Sequence, residues 1–141
     1  MRKFDTGATR DSIEGKPQYE GYLNPLVIKR FGEYMLKHQT QADGQRREPD
    51  NWQRGIDRDA YIDSMWRHFV DVWLHHRGYE DEATESLEDA LCAMLFNVQG
   101  YLFEELKQKD PVFPGKILND SSSNVKHSPW CMCLLCVRLS D

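Results

Sequence analysis

The sequence predicts an all-α domain of three main helices, with an extended N-terminal arm and a long loop between helices 1 and 2. Three observations carry this reading. Apolar residues recur at helical spacing in three separate segments. Capping and stop residues flank those segments. Glycine and proline punctuate the polar stretches between them.

Residues 1–23, rich in Gly, Thr, Asp and charge, show neither a helical nor a strand period and read as an arm. The first helix begins at Asn24, a good N-cap, with Pro25 at the first helical position. Val27, Phe31, Tyr34, Met35 and His38 follow at helical spacing, and the pattern fades near Gln39. Residues 40–58 contain Gly44, Pro49 and Gly55, which forbid a regular helix, while Trp52 predicts that part of this loop docks on the body. The second helix spans about Asp59 to Arg77, with Gly78 as its stop. Its expected core face is Ile62, Met65, Trp66, Phe69, Val72 and Trp73, with Ser64, Arg67, His68, Asp71 and His75 on another stripe. The third helix starts near Thr84 or Ser86 and runs to about Lys107. Its expected core residues are Leu87, Leu91, Met94, Leu95, Val98, Tyr101 and Leu102, and Asp110-Pro111 ends it. The expected division is a helical domain over 1–116 and a poorly structured Cys-containing tail over 117–141.

With 141 residues there is room for one domain. A net charge of −5 argues against direct nucleic-acid binding, which calls for a basic face. No apolar run approaches the roughly 20 residues that span a bilayer, and MRKFDTGATRD lacks a signal-peptide core. Cys92 sits in a helical pattern and the other three cysteines crowd the C-terminus, unlike a disulfide framework. The expected location is cytoplasmic, or the host cytoplasm for a phage-encoded chain. Three helices give a thin core, so a homo-oligomer, dimer or tetramer, is expected.

The chemistry-bearing residues cluster. Glu85, Glu88 and Asp89 are expected on the first turns of the third helix, with Glu85 and Asp89 four apart on one face. Acids are favoured at a helix N-terminus for the dipole alone. As a group they also suit a hard cation such as Mg2+ or Mn2+. Asn97 lies inside an apolar helix and needs a partner, either another helix or a ligand. Arg67 pairs with Asp63 at the surface or forms a site wall with His68 and Asp71, the guanidinium gripping phosphate. Glu33, flanked by Lys29 and Lys37 at four-residue spacing, is a solvated salt bridge or a fourth metal ligand. His75 and His76 are expected exposed. In the tail, Cys131, Cys133 and Cys136 with His127 are weak zinc candidates beside a plain apolar reading.

Five motifs then occur in order: TGATRD…EGKP, FGEYMLKH, DNWQRGI, SMWRHFVDVWLHHRG and EDALCAMLFNVQGYL. Over roughly residues 4–107 the chain resembles the phage-type dATP/dGTP diphosphohydrolase-like domain, a distant relative of the all-α MazG nucleotide pyrophosphatases. The resemblance implies a MazG-like bundle that uses carboxylate-held Mg2+ or Mn2+ to hydrolyse a (deoxy)nucleoside triphosphate to monophosphate and pyrophosphate. MazG-type enzymes place ExxE and ExxD pairs on neighbouring helices. The second pair has its counterpart in Glu85, Glu88 and Asp89. The first is broken, because Tyr34, Met35 and Leu36 follow Glu33, and His68 and Asp71 are expected to fill the gap. The resemblance makes Asn51, Trp52, Arg67, His68 and Asn97 site candidates, and Arg10 and Lys16 phosphate contacts. A non-catalytic nucleotide-binding or helical interaction protein is the alternative.

Overall fold

The computed structural model describes residues 1–109 and is mostly helical, as expected. The proposed tail, its cysteines and the Asp110-Pro111 stop lie outside the described residues. The arm is more structured than its composition suggests. Arg2–Lys3 (β1) pairs antiparallel with Thr9–Arg10 (β2), and Tyr19–Tyr22 forms one helical turn (α1). None of these three elements packs on the helices that follow.

The first long helix, α2 (Pro25–Lys37), starts where the sequence indicates, with the Leu26 N–H donating to Asn24 Oδ1 at 2.9 Å. The loop after it holds an isolated bridge between Thr40 and Arg46 and a 3-10 turn at Asn51–Arg54. Trp52 docks as expected, edge-on to Phe96 and Phe103 with ring centroids 6.0 and 5.0 Å away. The Ile56 N–H donates to Glu104 Oε1 at 3.2 Å, which fastens the loop's end. Helix α3 (Arg58–His76) is capped by Asp57 and stopped at Gly78, whose φ of +79° suits glycine. A 3-10 turn at Glu80–Glu82 leads to α4 (Leu87–Lys109).

The dominant packing is α3 against α4, and its polarity is the reverse of the expected one. Tyr61, Ser64 and Asp71 are the buried positions of α3, while Ile62, Trp66, Phe69 and Trp73 are exposed. On α4, Ala90, Cys92, Ala93, Phe96, Asn97 and Gly100 are buried, whereas Leu87, Leu91, Leu95, Val98 and Leu102 are exposed. The cause is the closeness of the two helices. Small residues on α4 admit α3, and the polar residues of α3 meet them because each finds a hydrogen-bond partner. The Arg67 guanidinium donates to Ser64 Oγ at 3.1 Å, and Asp71 accepts from the Thr84 backbone N–H at 3.1 Å and from the Thr84 hydroxyl. The arrangement leaves a small buried cluster of Tyr34, Cys92 and Ala93 between α2 and α4, with Phe31 and Met35 packed against it.

The tightest approach is at Gly100. A Cβ there would meet the ring of Tyr61 at 2.3 Å, and Tyr61 is only 1% exposed. With no free space for the ring, Gly100→Ala is expected to destabilise the fold by about 2–3 kcal/mol, the upper range for overpacking. Urea denaturation checks this: a midpoint equal to wild type means that the helices are not in this register.

Candidate functional site

Helix α2 carries two kinds of residue on adjacent faces. Arg30, Tyr34 and Lys37 share one face by helical period and look toward the start of α4. Arg30 donates from Nε to Glu88 Oε2 at 2.7 Å and from Nη2 to Asp89 Oδ1 at 2.6 Å. Lys37 donates from Nζ to the other oxygen, Asp89 Oδ2, at 3.2 Å. Asp89 is therefore held below the usual carboxylate range, by its Arg30 hydrogen bond above all and then by Lys37. The same two carboxylates raise the Arg30 guanidinium further above its already high value. Burial pushes the Tyr34 hydroxyl up, reinforced by Glu85 and Asp89. Burial likewise pushes up the neighbouring Cys92 thiol, whose Sγ lies 4.0 Å from Arg30 Nη1.

Glu85 precedes α4 rather than lying on its first turns, so it does not share a helical face with Asp89. Three residues of α3 strap the segment 84–85. Asp71 holds Thr84, His68 Nδ1 contacts the Glu85 carboxylate, and His75 Nε2 lies 2.8 Å from the Glu85 carbonyl oxygen. His75 is thus engaged, contrary to the expected exposed position. His68 is the member of the predicted Arg67, His68 and Asp71 group that meets a predicted acid. Arg67 is turned to Ser64 rather than to Asp63, and Asp71, 5% exposed, is occupied by Thr84.

The four expected metal ligands do not converge. Glu33 is paired with Lys29 one turn away, which lowers its carboxyl below the ordinary range. Glu85 is taken by His68, and Glu88 and Asp89 by Arg30. Among the described residues no three His, Cys, Asp or Glu side chains group so as to hold a metal ion. This arrangement does not fit Mg2+ or Mn2+. The repulsion between acids that a cation would relieve is relieved here by an arginine, a lysine and a histidine.

The other face of α2 borders a pocket of about 450 Å3. Phe31, Met35 and His38 form one side, Trp52, Asn51 and Arg47 of the loop another, with Phe96 and Gln99 of α4 between them. The size and the aromatic lining suit a small planar ligand with polar groups at its edges. Two predicted site residues, Asn51 and Trp52, line this pocket. Asn97 does not: it is buried and donates from Nδ2 to the Ala93 carbonyl at 2.7 Å, one turn back in its own helix. Arg10 lies in β2, and Lys16, exposed beside Asp11 at 3.9 Å, borders a separate shallow hollow near Tyr22. Neither joins the acids of α4.

Arg30 and His38 are the residues that sequence reading missed. The seven-residue spacing of Arg30 and Lys37 put two bases on one face, and that signal was available in the sequence. His38 gives no such sign. Its Nε2 is buried without a hydrogen-bond partner beside the pocket. Comparison with protein-family models, curated proteins and solved structures finds no match.

The His38 imidazole is pushed below its ordinary range, by burial first and then by Lys37, with Asp89 and Glu85 opposing. Below about pH 6.5 the unfolded chain then takes up this proton more readily than the folded one, so stability falls as pH falls. Melting temperatures at pH 7 and pH 5.5 are expected to drop less on acidification for His38→Gln than for wild type. Equal drops would show that His38 does not titrate as described.

Proposed function

We propose that this chain hydrolyses a (deoxy)nucleoside triphosphate, of the dATP or dGTP kind, to monophosphate and pyrophosphate. The observation that supports this reading is the double role of α2. One face lines an aromatic pocket of nucleobase size through Phe31 and Met35, and the next places Arg30 and Lys37 among the acids of α4. A base stacked on Trp52 would bring its phosphates to a charged edge within the same helix. Stacking of this kind contributes about 1–3 kcal/mol per base.

In this proposal Lys37, an exposed side chain, and Arg30 bind phosphate oxygens by turning from their carboxylates. His68, its Nδ1 steadied by Glu85, presents Nε2 as the base for the attacking water. Arg67 and Asp71 act by keeping α3 and the 84–85 segment in place. The Mg2+ or Mn2+ requirement and the MazG-like bundle geometry enter from the resemblance, and no step is drawn through the cation. A homo-oligomeric state belongs to the same proposal. No described helix is long and apolar enough to cross a membrane.

One observation favours a second reading, nucleotide binding without hydrolysis: each candidate carboxylate already has a protein cation or histidine as its partner. A single experiment separates the two. Purified protein is incubated with each dNTP and Mg2+ or Mn2+, and monophosphate, pyrophosphate and binding are measured. Turnover is expected, with losses of about 100-fold or more in Glu88→Gln and Asp89→Asn and a roughly tenfold weaker nucleotide affinity in Trp52→Ala. Binding without turnover establishes the second reading, and neither binding nor turnover rejects both. If both acid variants keep full activity, the site assignment is wrong.

A further inference from the structure

The stripe of α4 formed by Leu87, Leu91, Leu95, Val98, Leu102 and Leu106 advances by four, four, three, four and four residues. It keeps to one side of the helix for about 29 Å at 1.5 Å per residue. Every member is 41–54% exposed. By helical period this side is opposite the buried positions Ala90, Ala93, Asn97 and Gly100. The stripe thus faces away from α3, and no other described element lies over it.

We infer that this stripe is the interface between two copies of the chain, with the α4 helices packed antiparallel about a two-fold axis between Leu95 and Val98. Four features argue for a second copy as the occupant. The first is area: six half-exposed side chains bring on the order of 300–400 Å2 of apolar surface from each copy, most of the apolar half of a standard interface of ~800 Å2 per partner. The second is need, since Tyr34, Tyr61, Ala90, Cys92, Ala93 and Phe96 are all the apolar residues buried among the described ones, too few for a domain of this length. The third is charge. The acidic first turn of α4 (Glu88, Asp89) would meet the basic last turn (Lys107, Lys109) of the other copy, and the two helix dipoles would oppose. Glu105, the acid at that end, is already paired with Arg58 and Lys109. The fourth is the stripe's spacing, which matches the alternating three- and four-residue steps by which paired helices interlock.

The exposed row Trp66, Phe69 and Trp73 on α3 is the competing surface. Its rings already cover one another, with centroids 6.4 Å apart for Trp66–Phe69 and 6.5 Å for the stacked Phe69–Trp73. The α4 stripe has no such internal cover.

Sedimentation equilibrium on the full chain at several concentrations, without nucleotide, tests the interface independently of any activity. Wild type is expected at twice the chain mass. Leu95→Glu and Val98→Glu are expected to sediment as monomers with unchanged helical circular dichroism, because both positions lie outside the core. Trp66→Glu is expected to remain dimeric. Lys109→Glu is expected to weaken association roughly 3–10-fold at low salt and less at high salt. A wild-type chain that stays monomeric at all concentrations overturns the proposal. So does a dimer that Trp66→Glu dissolves and the α4 variants do not. If Lys109→Glu leaves association unchanged or tightens it, the antiparallel orientation is overturned.

Discussion

The whole arrangement depends on the closeness of α3 and α4, which the missing side chain at residue 100 permits. Tyr61 occupies the space where a Cβ would stand, and its ring reaches Phe96 at a centroid distance of 6.2 Å. Once the helices are that near, only short residues fit between them, and Ala90 and Ala93 are the ones present. The large residues of both helices are displaced outward. The polar ones turn inward, where Ser64, Asp71 and Asn97 each find a partner within reach. Bulk is thereby exchanged for proximity, and the connector between the helices is fixed by hydrogen bonds instead of by apolar packing.

That connector sets the electrostatics of the neighbouring site. Asp71, His68 and His75 hold residues 84 and 85 against α3, so Glu85 cannot join Glu88 and Asp89 on the helix. The two acids that remain together are bridged by one guanidinium from α2, with Lys37 as a second cation on Asp89. Exposed ion pairs of this sort add little to stability. Their larger effect is on where charge can be offered: α2 delivers both cations beside a pocket that it also helps to line.

Local features were legible in the sequence. Asn24-Pro25 marked the start of α2, Gly78 the end of α3, and Trp52 the docking of an otherwise polar loop, because each depends on contacts or conformations near in sequence or on one conspicuous ring. Which face of α3 and α4 turns inward was not legible. Periodicity identifies a stripe but not its direction, and the usual assumption that the more apolar stripe is the core fails where helices touch through small residues. The turns of the arm escaped because β1 and β2 are two residues each, too short for an alternating pattern. Arg30 escaped because its partners lie 58 and 59 positions away, and an unremarkable basic residue on a polar face carries no sign of them.

The pocket is walled by two materials of different tolerance. Phe31 and Met35 belong to α2 and Phe96 to α4, where a substitution disturbs the helix packing. Arg47, Asn51 and Trp52 belong to a loop tied to α4 through a few points, among them the Trp52 rings and the Ile56–Glu104 bond. Loops of this kind accept insertions and exchanges that helices reject. Descendants of this chain could therefore trade one guest molecule for another by rewriting residues 40–56, while the scaffold is inherited untouched.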